Sequence, residues 1–241
     1  MPKAKFEDIY KDIKQKIETQ EFQTGQLLPS ENTMVNIYNC SRNTIRRALL
    51  ELTDLGYIQP MHGKGVRIIY QPPIQASFTI GGIETFKETA ARNHLKSSTK
   101  VYQFAEITAD ERIHQKTGFD LGAELYYIER VRILDGSPYI LDLNLFLKSE
   151  IPGLTSTIAE NSIYEYIEKS LGMSIVTSKR TMTVEHITEI DEKYLSLNDY
   201  NCLAVVTGQT YNDRGILFEY TQSRHRPDYF CFQDIATRKK T

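Results

Sequence analysis

Apolar residues near the start of the chain recur at spacings of three and four positions, which is the pattern of a helix with one buried face. The pattern predicts a first helix that ends before Gly25. One side of this helix should therefore pack against the rest of its domain. The apolar stripe on that side consists of Phe6, Ile9, Tyr10, Ile13 and Ile17.

Two shorter helices are predicted to follow, with only two or three residues between them. Each opens at a serine, Ser30 or Ser41, whose hydroxyl can accept a hydrogen bond from a free backbone N–H of the first turn. The later helix stops at Gly56, because glycine readily ends a helix. The side chains expected to face inward are Met34, Ile37 and Tyr38 in the second helix and Ile45, Ala48, Leu49 and Leu52 in the third.

After these helices the pattern changes to two short strand-like runs within residues 57–69. The runs flank a glycine-rich tip, Gly63-Lys64-Gly65, which favours a β-hairpin. Three short helices followed by a β-hairpin are typical of a winged helix-turn-helix. The sequence therefore predicts this DNA-binding architecture at the N-terminus.

The remainder of the chain alternates strand-like runs with a few short helical segments, which predicts an α+β domain on a mostly antiparallel sheet. Turn residues at 135–136 and 213–215 favour hairpins between adjacent strands. The predicted strands cover residues 101–107, 125–134, 139–147, 175–187, 203–211 and 217–224.

A domain boundary is predicted at the tandem prolines Pro72 and Pro73, because they hold the backbone extended and bar a helix before them. We expect the winged helix-turn-helix over residues 1–70, a linker over 71–75 and the second domain over 76–241.

Composition narrows the class of protein. The chain has 241 residues, 40% hydrophobic and 25% charged, which indicates a globular protein rather than a membrane or disordered one. A formal charge of −2 excludes coating of nucleic acid by bulk positive charge. The first 70 residues nevertheless hold ten basic and eight acidic side chains, so the N-terminal segment carries a net positive charge. Any contact with nucleic acid should therefore be local.

Cysteines and terminal signals exclude other classes. Cys40, Cys202 and Cys231 form no C-x-x-C pair and the histidines are not clustered, so we expect neither disulfides, nor a metal, nor a cofactor. The charged start is unlike a signal peptide, and no apolar run is long enough to cross a bilayer. These features predict a cytoplasmic protein with no membrane partner.

The third helix carries a polar face opposite its apolar one. This face holds Arg42, Asn43, Arg46 and Arg47. A guanidinium group can bridge O6 and N7 of guanine, and Asn43 or Thr44 can contact a base edge or a phosphate. The alternative is that these arginines only solvate an exposed helix. The adjacent hairpin favours DNA binding, because its tip adds further contacts.

That hairpin tip has the composition of a DNA-contacting wing. Gly63 and Gly65 have no side chains, so the backbone can approach a narrow minor groove. His62 and Lys64 can meet phosphates there.

In the second domain, Arg130 and Arg132 alternate along a predicted strand, so both side chains point to one face. An anion would stabilise two such like charges, whereas the alternative is neutralisation by nearby acids such as Glu129 or Asp142. Ser162 opens a predicted helix, and a helix start favours phosphate. The residues thus indicate an anion site without any catalytic motif.

The N-terminal motifs resemble the DNA-binding domain of GntR-family bacterial transcription regulators. The matching segments are Leu28-Pro29-Ser30-Glu31, Ser41-Arg42-Asn43-Thr44-Ile45-Arg46-Arg47-Ala48-Leu49, Gly56-Tyr57-Ile58 and Gly63-Lys64-Gly65. The resemblance implies DNA contacts at Asn32, Arg42, Thr44, Arg46 and the wing residues 62–65. Asn32 stands where family members often carry arginine.

The second domain resembles the UTRA effector domain of the HutC-type GntR subfamily, a fold similar to chorismate lyase. The matching segments are Glu129-Arg130-Val131-Arg132, Tyr139-Ile140-Leu141-Asp142, Ile151-Pro152-Gly153-Leu154, Ser162-Ile163-Tyr164 and Phe218-Glu219-Tyr220. The resemblance implies that Arg130, Arg132, Ser162 and Tyr164 hold a sugar's phosphate. It implies that Asp142 and Glu219 hold sugar hydroxyls, that His225 faces the same pocket, and that Thr85 and Phe86 lie at its edge.

Residues 78–88 and 219–230 are most similar to the trehalose-sensing branch of this subfamily, whose effector is trehalose 6-phosphate. The resemblance implies a homodimeric repressor that binds operator DNA and releases it when a sugar phosphate binds. Three alternatives stay open at this point. They are another phosphosugar as effector, an activator in place of a repressor, and a small lyase-like enzyme whose Arg130 and Arg132 hold a carboxylate.

Overall fold

The computed structural model describes residues 2–71, 78–79, 83, 85–93 and 95–233. These residues belong to two compact units, one reaching to residue 71 and one from residue 78 to residue 233. The predicted linker 71–75 lies outside the described residues apart from Gln71. Within the described parts of the chain, no helix is both long enough and apolar enough to span a membrane.

The first unit consists of three helices and a β-hairpin. Its elements are α1 (Pro2–Glu18), α2 (Glu31–Tyr38), α3 (Arg42–Asp54), β1 (Ile58–Met61) and β2 (Gly65–Ile68). The two strands pair antiparallel. This order is that of a winged helix-turn-helix, as the sequence predicts.

Both short helices begin at the serines predicted to cap them. The Ser30 hydroxyl accepts a hydrogen bond from the Thr33 backbone N–H at 3.1 Å. The Ser41 hydroxyl accepts one from Thr44 at 3.2 Å. Such a cap contributes about 1 kcal/mol to a helix that is too short to be stable alone.

The predicted apolar faces form a single core, with one exception. Ile37 was expected to face inward, and this is wrong, because its side chain is 61% exposed. In α2 only Met34 is fully buried, while Tyr38 packs at the edge of the core and donates a hydrogen bond to Asp12. The fully buried members of the core include Ile9, Ile13, Ile17, Ile45, Ala48, Leu52, Ile58 and Ile68.

The second unit is built on a six-stranded sheet. Its strands lie in the order β4-β5-β6-β9-β8-β7, and every neighbouring pair is antiparallel. A separate parallel pair joins β3 and β10. The strands are β3 (Phe78–Thr79), β4 (Ser97–Thr108), β5 (Glu124–Leu134), β6 (Ser137–Leu147), β7 (Ile175–His186), β8 (Cys202–Asn212), β9 (Leu217–His225) and β10 (Phe232–Gln233). The unit is thus α+β on a mostly antiparallel sheet, in agreement with the prediction.

Short helices connect these strands. They are α4 (Phe86–Arg92), α5 (Glu111–Thr117), α6 (Ser156–Glu160), α7 (Ile163–Glu165), a π-helical turn (Tyr166–Ser170), α8 (Glu189–Tyr194) and a 3-10 turn (Pro227–Tyr229). The tightest strand connection is the hairpin between β5 and β6, where Asp135 and Gly136 have φ values of 46° and 86°. Two consecutive positive φ values are what a two-residue hairpin turn requires.

The two faces of the sheet are covered differently. Ile128 and Phe146 pack beneath the α6–α7 region with Ile163 and Ile167. On the other face, residues of alternate parity such as Val131 and Leu141 pack against the α8 region. The α6–α7 layer covers only part of its face, and polar residues occupy the part beside it.

A buried ion pair ties α8 to the sheet. Asp191 is fully buried and accepts hydrogen bonds from Arg224 Nε at 2.7 Å and Nη2 at 2.9 Å. The same carboxylate caps α8 by accepting hydrogen bonds from the Thr188 backbone N–H and hydroxyl. Glu185 on the edge strand β7 binds the remaining Arg224 nitrogen at 2.7 Å. One guanidinium group therefore joins β9, β7 and α8.

We expect Asp191→Asn to lower the free energy of unfolding by about 3 kcal/mol, because it leaves buried Arg224 without its bidentate partner. Urea denaturation of the full chain measures this loss. The matched control is Asp120→Asn, the same change at an exposed position. Equal stability of the two variants would contradict a structural role for the pair.

Candidate nucleic-acid interface and ligand cavity

Helix α3 turns its apolar side into the core and its polar side outward. Arg42, Asn43, Arg46 and Arg47 are all exposed, on the side predicted to be polar. The side chains of Arg42 and Arg46 are 56% and 59% accessible. Two guanidinium groups one turn apart can therefore reach a groove of DNA without any repacking of the core.

Both exposed arginines are held by the start of α2. Arg46 Nε lies 3.2 Å and 3.0 Å from the two carboxylate oxygens of Glu31. Arg42 Nε lies 3.9 Å from the same carboxylate, and Arg42 Nη2 donates to Asn32 Oδ1 at 2.6 Å. Asn32, a predicted contact residue, thus binds α3. Glu31 was not singled out as a site residue, although its place directly after the Ser30 cap puts it on the first turn of α2.

Two other predicted contact residues have partners of their own. The Thr44 hydroxyl shares a hydrogen bond of 2.8 Å with the Ser41 hydroxyl, so it belongs to the cap of α3. The Arg47 guanidinium lies over the ring of Phe6, 4.6 Å from its centroid, on the side of α1. Arg42, Asn43 and Arg46 are therefore the residues of α3 that remain best suited to base contacts.

The hairpin between β1 and β2 presents the predicted wing. His62, Gly63, Lys64 and Gly65 are all exposed at its tip. Gly63 and Gly65 adopt φ values of 69° and 97°, which favour glycine over any residue with a side chain. The turn closes through a hydrogen bond from the Lys64 backbone N–H to the Met61 carbonyl at 3.1 Å.

The second unit contains a cavity of about 220 Å³ on the polar part of the sheet face. It is bounded by strands β5, β6, β9, β8 and β7 and by the starts of α4 and α7. All nine residues expected to bind an effector line it, namely Thr85, Phe86, Arg130, Arg132, Asp142, Ser162, Tyr164, Glu219 and His225.

The two arginines of β5 share one carboxylate. Arg132 Nε donates to Asp142 Oδ2 at 2.7 Å, and Arg130 Nη2 lies 3.9 Å from the same oxygen. Of the two acids considered for this role, Asp142 takes it, whereas Glu129 accepts a hydrogen bond from Tyr127. One carboxylate partly neutralises two guanidinium groups, and the cavity beside them stays open.

Burial and mutual charge set the protonation states of Arg130 and Asp142. Burial, reinforced by the charge of Arg132, lowers the pKa of Arg130 to about 9. Burial by itself would raise the pKa of Asp142, but Arg132, Arg130 and the Ser223 hydroxyl together hold that pKa below its ordinary value. At neutral pH the cluster therefore keeps an ionised carboxylate between two cations.

A chain of hydrogen bonds continues from Arg130 along the cavity floor. Arg130 Nε donates to Asn144 at 2.9 Å, and Asn144 donates to Thr221 at 2.7 Å. The Thr221 hydroxyl donates to one oxygen of Glu219 at 2.7 Å, and the Tyr164 hydroxyl donates to the other. Burial and the Glu219 charge raise the pKa of Tyr164 well above its ordinary value, so the phenol stays a donor.

The cavity rim is made of helix caps. The Thr85 hydroxyl accepts from the Glu88 backbone N–H at 3.2 Å, and the Ser162 hydroxyl accepts from Glu165 at 3.3 Å. Phe86, the first residue of α4, faces the Arg132 guanidinium at 4.9 Å from its ring centroid. A change in the position of Arg132 would therefore alter its contact with Phe86 at the start of α4.

His225 lies at the end of the cavity near Phe230, with ring centroids 5.1 Å apart. Burial lowers the pKa of His225 from its ordinary value of 6.5 to about 4. The imidazole is neutral at pH 7 and can bond a hydroxyl group without adding charge.

Sequence reasoning missed several lining residues, among them Lys87, Asn144, Ser178, Arg180, Gly208, Thr210, Thr221 and Ser223. A signal existed for some of them, because β9 carries a polar residue at every second position from Glu219 to His225. Among the described residues, the cationic members of the lining are Lys87, Arg130, Arg132 and Arg180, and the anionic ones are Asp142 and Glu219, a formal excess of two positive charges.

Within the described ranges, no three His, Cys, Asp or Glu side chains come together in a way that could hold a metal ion.

Comparisons with known proteins bear on both units. The profile of "Bacterial regulatory proteins, gntR family" matches residues 5–68, and that of the "UTRA domain" matches residues 92–231. The HTH-type transcriptional regulator TreR of Bacillus subtilis (strain 168) is 38% identical over 236 residues, which cover 98% of each chain.

Two solved structures extend these similarities. The effector-binding domain of the B. subtilis trehalose repressor is 38% identical with a TM-score of 0.54, covering 59% of this chain and 99% of that one. The possible transcriptional regulator YydK of Bacillus subtilis subsp. subtilis str. 168 has a TM-score of 0.81 and 21% identity, covering 97% of this chain and 99% of that one. The second likeness is one of fold.

We expect Glu31→Gln to reduce discrimination between DNA sequences about tenfold, because Arg42 and Arg46 lose the carboxylate that orients them and competes with phosphates. Binding to random duplex should tighten, while binding to the duplex enriched by the wild-type protein from a random-sequence pool should not. Fluorescence anisotropy with the two duplexes measures the ratio.

The control for this change is Glu51→Gln, which removes the same charge from an exposed position of α3. Glu51→Gln should tighten binding to both duplexes by the same factor. If the two variants give the same ratio, Glu31 acts only through net charge and does not orient the arginines.

Stability of the second unit should fall as the pH decreases from about 6.5 to 4. In this window the unfolded chain protonates His225 but the folded one does not, so the unfolded state binds more protons. Between pH 7 and pH 5 we expect a loss of about 2 kcal/mol. Native-state hydrogen exchange of the β6 and β9 amides measures it.

In this experiment His225→Gln should flatten the pH dependence, whereas His186→Gln, at an exposed position, should leave it unchanged. Asp142 acts at lower pH, because its lowered pKa stabilises the fold above the ordinary aspartate value and is lost only in stronger acid. A wild-type protein whose protection is the same at pH 7 and pH 5 would contradict the neutral, buried state of His225.

Proposed function

The chain belongs to the gntR family of bacterial regulatory proteins and carries a UTRA domain, and on this premise we propose that it represses a sugar-utilisation operon. In this proposal the winged unit binds operator DNA, and a phosphorylated sugar in the second unit releases it. The matched families and relatives are transcriptional regulators, so the chain is a regulator and not an enzyme.

The DNA-binding part of the proposal assigns base contacts to Arg42, Asn43 and Arg46 and phosphate contacts to Lys64 and His62. It is supported by the exposure of these side chains on one helix and one hairpin tip. Thr44, Arg47 and Asn32 then act beside them, as a cap residue, a residue stacked on α1 and a support of Arg42. We propose a homodimer acting in the cytoplasm, because two such heads would bind the half-sites of a near-palindrome.

The observation that carries the effector part is the charge of the cavity. In the described part of the chain, its lining has two more cationic than anionic side chains, beside hydroxyl and amide groups. A phosphomonoester carries a charge close to −2 at neutral pH and accepts hydrogen bonds through three oxygens. Phosphate at Arg130, Arg132 and Ser162 would compensate the excess charge and leave Glu219, Asp142 and His225 for sugar hydroxyls.

We propose trehalose 6-phosphate as this effector. The relative with 38% identity over nearly the whole chain is TreR, and the solved domain with the same identity is the effector-binding domain of a trehalose repressor. Another phosphosugar is the alternative, and a screen that includes both kinds of ligand distinguishes them.

Release of DNA requires that the effector favour one arrangement of the protein over another. Turning a mostly bound population into a mostly released one takes roughly 5 kcal/mol of differential affinity. Arg132 is suited to transmit it, because it binds Asp142 and Thr99 on the sheet and faces Phe86 at the start of α4. Phosphate bound to Arg132 would weaken these contacts and shift α4.

We expect Arg132→Gln to bind DNA like the wild type but to lose release by trehalose 6-phosphate, with the effector concentration needed for release raised at least about a hundredfold. Anisotropy of a labelled operator duplex, titrated with the sugar phosphate, measures this. Arg112→Gln, at an exposed position of α5, is the matched control.

Two results would contradict the proposal. Normal release from Arg132→Gln would remove Arg132 from the site. If trehalose 6-phosphate, glucose 6-phosphate and inorganic phosphate all leave the thermal stability of the wild type unchanged, the cavity is not a phosphosugar site, since a ligand of the folded state raises stability.

A further inference from the structure

The cavity runs across the strands rather than along them. Asn144, Thr221, Gly208 and Arg180 are direct register neighbours on β6, β9, β8 and β7. On the other side, Asp142 of β6 is paired with Arg130 of β5. Neighbouring strands are about 4.8 Å apart, so the lining extends over about 19 Å from β5 to β7. This span exceeds what a phosphate and one sugar ring need at the Arg130 end.

Gly208 interrupts the row of side chains on the cavity floor. It is buried in the middle of β8, where a glycine weakens a strand. Its φ is not positive, so the backbone does not require glycine. A Cβ built on Gly208 would approach only the Ser178 hydroxyl, at an ordinary 3.6 Å. Neither conformation nor packing explains the glycine, and what it keeps open is space in the cavity.

The side chains around this gap suit a sugar ring. Arg180 of β7 is paired with Gly208 of β8, and Val206 and Thr210 flank Gly208 on its own strand. The Thr210 and Ser178 hydroxyls lie 3.2 Å apart and both line the cavity. An uncharged ring with hydroxyl groups can lie over Gly208 and Val206 and exchange hydrogen bonds with Thr210, Ser178 and the Arg180 guanidinium.

We propose that Gly208 and Arg180 form a subsite for a second sugar ring, which makes the cavity selective for a phosphorylated disaccharide over a phosphorylated monosaccharide. This rests on the proposed function, in which Arg130 and Arg132 hold the phosphate. The first ring then lies over Asn144 and Thr221, and the second lies about two strands further, over Gly208. The distance between β5 and β7 thus determines the length of the ligand that fills the cavity.

Titration calorimetry of the full chain with trehalose 6-phosphate, glucose 6-phosphate and inorganic phosphate tests the proposal. The wild type should bind the disaccharide phosphate at least about tenfold more tightly than glucose 6-phosphate. Gly208→Ala should weaken the binding of trehalose 6-phosphate at least about tenfold, because the methyl group occupies the place of the ring. The affinity for glucose 6-phosphate should change less than about twofold. Arg180→Gln should act in the same direction.

The matched control is Thr207→Val, at the adjacent position of β8, whose side chain lies on the opposite face of the sheet. It should leave all three affinities unchanged. Gly208→Ala should fold, since nothing rigid opposes its Cβ, and an unchanged thermal midpoint without ligand verifies this.

The outcomes separate the subsite from the proposed function. If the wild type binds both phosphosugars equally, or if Gly208→Ala and Arg180→Gln bind the disaccharide phosphate normally, the second subsite is wrong while the phosphosugar site stands. If the wild type binds none of the three probes, the proposed function fails and the subsite fails with it.

Discussion

The structure of the second unit depends on how a sheet face accommodates two like charges. Arg130 and Arg132 stand two positions apart on β5, so the pleat directs both guanidinium groups to one side, and Arg130 is almost fully buried there. Burying cations is costly unless they are paired and hydrogen-bonded. Asp142 on the next strand supplies one carboxylate for both, and the amide, hydroxyl and carboxylate groups beyond it extend the network to Tyr164. An apolar layer cannot cover such a face, and beside the α6–α7 layer a cavity remains, lined by Ser162, Ile163 and Tyr164.

Most of the fold could be predicted from the sequence, because its elements are defined by local signals. Ser30 and Ser41 cap helices, the Asp135-Gly136 pair makes a hairpin turn, and period-2 runs become strands of the sheet. Ile37 shows the limit of this reasoning. Its spacing from Met34 fits a buried helical face, but α2 is only eight residues long, and no described residue of the first unit buries that side. Periodicity identifies a face, whereas only the packing of neighbouring elements decides how wide it is.

The candidate site divides in the same way. The resemblance to a family led to nine lining residues. Arg180 and Gly208 were missed, because only the strand order β5-β6-β9-β8-β7 brings them to the cavity that Arg130 lines. That order is not the order of the chain, so no spacing in the sequence indicates it. The neutralisation of Arg130 and Arg132 was left open between an anion and nearby acids. The structure contains both features, an acid between the arginines and an open cavity with excess positive charge, since one carboxylate does not balance two guanidinium groups.

In the proposed function, the carboxylate of Glu31 between Arg42 and Arg46 also has a kinetic consequence. A phosphate that approaches these arginines must displace an internal anion, so contact with an arbitrary stretch of chromosome brings little net gain. Residence on such stretches is correspondingly short, and most encounters end quickly. Displacement of the Glu31 carboxylate becomes favourable only where guanine edges accept hydrogen bonds from both guanidinium groups. A single acidic residue of α2 can thereby shorten the time that the protein needs to scan a genome for its target.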